Sequence, residues 1–305
     1  MRADDGAGAE GPVHPLFEGA GELRGAYAAV DWSASPVGPP EGWSPALRTA
    51  LRLAFATSFP ATLLWGPRFV VLYNAAYTEL VAGKHPGALG RPCEEVFPEV
   101  WDQIGPLMQG VLDGRGTVRQ VDQQLRLVRR GFAEECYFTY AYSPVDGADG
   151  RPEGVLDLTV ETTHAVVDAR RAQLLGRLAD LPSRLRAPED LADLALPVLA
   201  ADPDDLPEVE LVVPGRADPG ALPPVPAPRL QGLVVVGAPG ERTAWLRLPG
   251  AGSTSSRPLL RVRLSPSVPE DDRYLGFLRQ VAAALGNALA VATAVRSAAA
   301  RADLQ

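Results

Sequence analysis

The reactive side chains of this chain are few: three histidines (His14, His85 and His164) and two cysteines (Cys93 and Cys136). His85, in the run Lys84-His85-Pro86, draws most interest, because a lone imidazole is chemically sufficient to ligate haem iron. A structural hydrogen-bonding role is the preferred reading for it. His14 and His164 have no partners at metal-ligand spacing. Cys93 and Cys136 form no CxxC pair and read as reduced thiols. Three carboxylate pairs invite acid–base or metal chemistry: Glu94/Glu95, Glu134/Glu135 and Asp271/Asp272. Neighbouring residues on a strand face opposite ways, so Glu134 and Glu135 cannot converge on one substrate. Glu270-Asp271-Asp272 sits at a helix start, where negative charge suits the macrodipole.

The chain shows no GxxxxGK[ST] phosphate loop and no GxSxG nucleophile elbow. His164, in ETTHAVVDARR, is a conceivable phospho-acceptor, but no Asn- and Gly-rich ATP-binding boxes follow it. The expectation is a chain without catalysis of its own. Aromatic residues are the other resource. Trp65, Tyr73, Tyr77, Trp101, Phe138, Tyr140 and Tyr142 form a set that either lines a small-molecule cavity or simply fills a core. Asn74 reads as a helix cap.

These residues need a scaffold, and 305 residues allow two ordinary domains, with 46% hydrophobic and 22% charged residues. The formal charge of −8 offers no basic stripe for nucleic acid and little for anionic lipid. The acidic start lacks an apolar leader, and the Ala-rich run Val281 to Val295 is too short to span a bilayer, so a cytoplasmic location without membrane association is expected.

Periodicity then supplies the elements. Ser44-Pro45 opens a helix carrying Leu47, Leu51 and Ala54/Phe55. Short strands at Ala61–Trp65 and Phe69–Tyr73 flank a Gly66-Pro67 turn. A short helix after Asn74 and a longer one over Trp101–Leu112 follow. Val118–Val128, Glu134–Val145 and Gly154–Glu161 alternate as strands, with Cys136, Phe138, Tyr140 and Tyr142 on one face. This order predicts an α+β unit, a five-stranded antiparallel sheet with helices on one face. Beyond it come a helix with Val166, Val167, Leu174, Leu175 and Leu178, another near Pro188–Leu199, and strands near Val209–Val213, Leu233–Val236, Thr243–Leu248 and Pro258–Leu264. A Pro-rich loop, Pro214–Pro228, interrupts those strands. A long closing helix from Glu270 carries Leu275, Leu278, Val281, Leu285 and Leu289.

The strings DWSASPVGPPEGW, FPATLLWGPRFVVLYNAAY, GKHPGALGRP, FPEVWDQIGPLMQGVL and EECYFTYAYSPV resemble the N-terminal PAS domain of bacterial sensor proteins. In that family a PAS domain precedes a GAF domain and then a histidine kinase or a metal-dependent serine/threonine phosphatase. LADLALPVLAADPDDLPEVELVV and LSPSVPEDDRYLGFLRQVAAALGNALA resemble the two ends of the GAF domain, around a short, Pro-rich middle that departs from it. Gly/Ala-rich, aperiodic composition reads as a loose lead-in (1–30); the resemblance implies a PAS domain (31–162), a linker helix (163–187), a reduced GAF-like domain (188–295) and the start of a signalling helix (296–305). It also implies a two-component-type sensor whose PAS cavity, with His85 added to the seven aromatics above, takes a small ligand or partner. The cofactor stays open, with haem and flavin disfavoured. Signal would pass through a homodimer formed by helices 163–181 and 270–305 to an output kinase or phosphatase. The alternative is a truncated sensory piece of a larger kinase or phosphatase.

Overall fold

The computed structural model describes residues 13–212, 232–238, 241–250 and 258–302. The chain divides into two compact units, Met1–His164 and Ala165–Gln305. The Pro-rich loop at 214–228, residues 1–12 and the last three residues lie outside the described set.

The first unit opens with 3-10 turns over Pro15–Leu23 that continue into α1 (Arg24–Ala29). Leu16, Ala20, Leu23 and Tyr27 recur at helical spacing and are buried together with Phe17. The expected loose lead-in is therefore corrected over 13–30: its Gly/Ala-rich composition hides an apolar stripe. Trp32 and Trp43 pack edge to face at 5.1 Å around Phe17, and their indole N–H groups donate to the Tyr27 and Gly38 carbonyls. α2 (Pro45–Ala56) begins as expected, with the Ser44 hydroxyl accepting from the Leu47 N–H and Pro45 in the first turn.

β1 (Ala61–Trp65) and β2 (Val70–Tyr73) form the first hairpin. Asn74 caps the turn Ala75–Tyr77, and its amide also donates to the Ala54, Thr57 and Phe59 carbonyls, tying the end of α2 to the sheet. Short helices α3 (Thr78–Val81) and α4 (Cys93–Val96) precede the longer α5 (Trp101–Leu112). β3 (Val118–Val128), β4 (Ala133–Asp146) and β5 (Pro152–Glu161) complete an antiparallel sheet of order β2-β1-β5-β4-β3.

Directly paired residues share a face. Register places Thr62, Asp157 and Tyr142 in one row, and Thr159 with Tyr140 in the next. That face lies under α3 and α5. The other carries Leu63, Leu72, Leu156 and Leu158 and meets α2, which covers Leu63 and Leu72 completely. Helices therefore stand on both faces of the sheet, not on one. The β1–β2 half of the outer face is too apolar to stay bare. β5 inverts the usual alternation: Asp157 and Thr159 are buried, while Leu158 and Val160 are 44% and 43% exposed on the outside.

The second unit receives α6 (Thr163–Ala179), then α7 (Leu181–Arg184) and α8 (Leu191–Leu199). β6 (Glu208–Val212), β7 (Leu233–Val236), β8 (Thr243–Arg247) and β9 (Leu259–Arg263) form an antiparallel sheet of order β6-β9-β8-β7. α9 (Asp272–Ala302) closes the unit. It is long and apolar enough, by length and composition, to cross a membrane. Its stripe of Tyr274, Phe277, Leu278, Val281, Leu285, Ala288 and Ala292 nevertheless belongs to the unit's core, with Leu174, Leu178, Leu191 and Leu260. Leu275 and Leu289, expected on that stripe, lie at its margin and are half-buried. Arg170 and Arg171 of α6 hold the acidic turn after α8. Arg171 pairs with Asp205 at 2.6 Å beneath the Tyr274 and Phe277 rings, and Arg170 reaches Asp202 and Asp205.

Candidate functional site

β4 and β5 form the floor of a cavity of about 50 Å³ in the first unit, roofed by the short helices. β4 supplies Phe138, Tyr140 and Tyr142; β3 supplies Leu125 and Leu127; β5 supplies Asp157 and Thr159. Tyr77, Leu80, Phe97, Val100 and Ile104 close it from above. Strict alternation along β4 points every second side chain inward, so the tyrosines share one face, Tyr140 tilted against Tyr142 at 4.6 Å between ring centroids.

One charge-bearing group faces this space. Asp157 is 3% exposed and accepts from the Thr159 hydroxyl at 2.5 Å and, more weakly, from the Tyr77 hydroxyl at 3.3 Å. Among the described residues no cation pairs with it. Burial pushes its carboxyl up to about 7, with the two hydroxyls pulling the other way. Burial also raises Tyr77 and Tyr142 well above the usual phenol range, the Asp157 charge adding to it, and lifts Tyr140 to about 12. The Cys93 thiol is raised by the same two causes. Tyr140 donates to Gln123 at 2.5 Å.

Of the eight side chains expected at the cavity, Tyr77, Phe138, Tyr140 and Tyr142 line it. Tyr73 and His85 pair with each other instead, hydroxyl to Nδ1 at 2.8 Å, behind the wall. Trp101 packs on Phe69 and leaves no room for a side chain at Gly105. Trp65 stands on the opposite face of the sheet, paired with Val70 and covering Gly154 so closely that no Cβ fits there. The Trp65, Tyr73, Trp101 and His85 side chains do not line this cavity. His14 caps the first turn by accepting from the Leu16 N–H, and His164 is exposed at the start of α6. No group of three metal-ligating side chains exists among the described residues.

A second polar cluster lies where β5 hands over to α6. Arg129, with a side chain 2% exposed, donates to Glu161 at 2.8 Å, Glu134 at 3.0 Å and the Cys136 sulfur at 3.1 Å. It also reaches the Leu80 carbonyl and lies 5.9 Å from the Phe138 ring. Burial would raise the Glu161 carboxyl, but hydrogen bonds and charge from Arg129 hold it below the usual range. Glu161 in turn accepts from Thr163, the first residue of α6, whose hydroxyl also accepts from the Tyr137 N–H at 2.9 Å. Glu134 and Glu135 do face apart: Glu134 meets Arg129, whereas Glu135 accepts from the Tyr137 hydroxyl. Sequence reading missed Asp157, Thr159 and Arg129. The Arg129-Arg130 pair in the β3–β4 turn was the available sign for the last.

The family described as PAS fold matches residues 59–167. These residues are a PAS-fold domain. Among solved structures, the chain is similar to the PAS domain of a Colwellia psychrerythraea protein, at 13% identity and TM-score 0.31, over 39% of this chain and 98% of that one. It is also similar to a sensory box sensor histidine kinase from Vibrio cholerae, at 20% identity and TM-score 0.29, over 36% and 86%. A third, the PAS domain of Bordetella pertussis BvgS, gives 17% identity and TM-score 0.29, over 42% and 94%. No curated protein matches the chain.

Proposed function

We propose that this chain is a cytoplasmic signal-input protein whose PAS domain binds a small ligand and passes the change through α6 to an output partner, without catalysis of its own. The observation that carries this reading is the sharing of β5. The same strand face holds the cavity carboxylate, Asp157, and the anchor of the exit helix, Glu161. Arg129 couples the two physically, since it contacts the cavity-lining Leu80 and Phe138 while binding Glu161. A ligand that displaced the cavity wall would bias the packing at the start of α6, a population shift between two arrangements.

The second unit is read as a reduced GAF-like module, on the strength of helices leading into a four-stranded antiparallel sheet with a long closing helix. Homodimerisation through helices 163–181 and 270–305 supplies the element to be biased, and an output histidine kinase or serine/threonine phosphatase would receive it. The test is a thermal-shift metabolite screen on the full chain with native mass spectrometry of the free and bound forms. A ligand-binding dimer supports the reading; a monomer that binds nothing removes its basis.

A further inference from the structure

We propose that the cavity between β4/β5 and the short helices is a recognition site for a compact organic cation, a protonated alkylamine held by Asp157 and enclosed by aromatic rings. The inference rests on the ligand-binding reading above and names the ligand class.

A carboxylate offers about four acceptor sites, and a buried one is ordinarily paired or fully hydrogen-bonded. Asp157 receives two hydroxyl donors, of which only Thr159 is close, and no cation among the described residues. The titratable groups around it come from every element packed there: Tyr77 from the turn before α3, Cys93 from α4, and Tyr140 and Tyr142 from β4. All of them ionise to anions. None can neutralise Asp157, and each raises the local negative potential if it ionises. Lys84, the one lysine, is committed elsewhere, to Glu99 at 2.5 Å and the Val96 carbonyl. When Asp157 is ionised, the partner it lacks is a positive charge, which we assign to a ligand.

The walls fit the same class. Tyr77, Tyr140, Tyr142, Phe97 and Phe138 present aromatic surface, which attracts an alkylammonium through its ring quadrupoles and accepts its apolar carbons. The volume of about 50 Å³ holds a few waters, which sets the ligand at about four or five non-hydrogen atoms. An N–H of the ammonium would donate to Asp157, a charge-assisted bond.

The experiment uses the full chain at pH 8, with trimethylammonium as probe and tert-butanol as its neutral counterpart of similar shape, followed by calorimetry and saturation-transfer NMR. Trimethylammonium is expected to bind at least 10-fold more tightly than tert-butanol. Asp157→Asn is expected to lose at least 10-fold in affinity for the cation while leaving that for tert-butanol unchanged. Because the Asp157 carboxyl titrates near 7, cation affinity is also expected to rise between pH 6 and pH 8. The wild-type comparison of the two probes requires no variant to fold. Equal binding of both probes, or cation binding untouched in Asp157→Asn, would overturn the cation assignment while leaving a small-ligand cavity in place. Failure of both probes to bind would overturn the cation assignment and count against the ligand reading itself.

Discussion

Asp157 and Glu161 stand four residues apart on one face of β5, about 13 Å along the strand, each on the helix-covered side. One is a buried acid with no cation paired to it among the described residues; the other is pinned by the buried guanidinium of Arg129. The strand thus joins a cavity to an exit helix by a route of named side chains: Phe138 and Leu80, Arg129, Glu161, Thr163. Glu161→Gln keeps the shape but removes one of the two carboxylate charges that Arg129 faces, leaving Glu134. It is expected to cost about 1–3 kcal/mol and to speed amide exchange over the first turn of α6. Hydrogen–deuterium exchange of Thr163–Val167 against the rest of the helix checks this, and an unchanged pattern would break the proposed route.

The pH dependence of stability separates the two acids. The folded state raises the Asp157 carboxyl to about 7, so its contribution is fully present below the unfolded value near 4 and is lost as pH rises through 7. The loss amounts to about 4 kcal/mol at most. Glu161 and Glu99 are held low, and their contribution is present above the ordinary glutamate value and lost as pH falls. Asp157→Asn should therefore remove the decline between pH 4 and 7 and leave the acid limb below it. Urea denaturation across pH 3–8 shows whether the slope disappears from that window alone.

The Pro15–Ala29 turns are integral to the first unit. Phe17→Ala would empty the space between Tyr27, Trp32 and Trp43. The expected cost is about 3–5 kcal/mol. A thermal melt unaffected by this change would show that the segment contributes nothing to the domain.

In the second unit, Asp205 has a fully buried side chain and accepts from both Arg170 and Arg171. Asp205→Ala leaves Arg171 buried beneath Tyr274 and Phe277 without its partner, at a cost of about 3–5 kcal/mol. The indole N–H NMR resonance of Trp245, buried in this unit, gives a local signal for its unfolding. The urea midpoint of that signal should fall while the first unit's hydrogen exchange stays as in the wild type.

Both thiols are buried and raised by desolvation, Cys136 to about 12. Thiolate is the reactive form. Ellman's reagent at pH 8 should find almost no reactive thiol in native protein and two after denaturation. Rapid labelling of the native state would show that one site opens readily.

The inward face of β4 was legible because Cys136, Phe138, Tyr140 and Tyr142 alternate with smaller or more polar residues. The start of α2 and the end of β1 were legible from Ser44-Pro45 and Gly66-Pro67. Trp65 was not, since its side of the sheet depends on α2 covering the β1–β2 half, a tertiary fact absent from local spacing. Asp157 was hidden for a stronger reason. Along Val155-Leu156-Asp157-Leu158-Thr159-Val160 the larger apolar residues fall on the outer face, so a pattern reading points the acid toward solvent. For His85 a structural hydrogen-bonding role was the preferred reading, and its partner, the Tyr73 hydroxyl, comes from placement in the fold.

That inverted strand bears on how the chain finds its native state. A slip of one residue in the pairing of β5 would turn Leu156, Leu158 and Val160 into the core and put Asp157 and Thr159 in water. Hydrophobic patterning therefore favours the wrong register. The native one is selected by polar bonds, Thr159 and Tyr77 to Asp157 and Arg129 to Glu161, together with the fit of Gly154 under Trp65. β5 is thus a frustrated element in an otherwise consistent domain, where local preference has been surrendered to keep an acid inside.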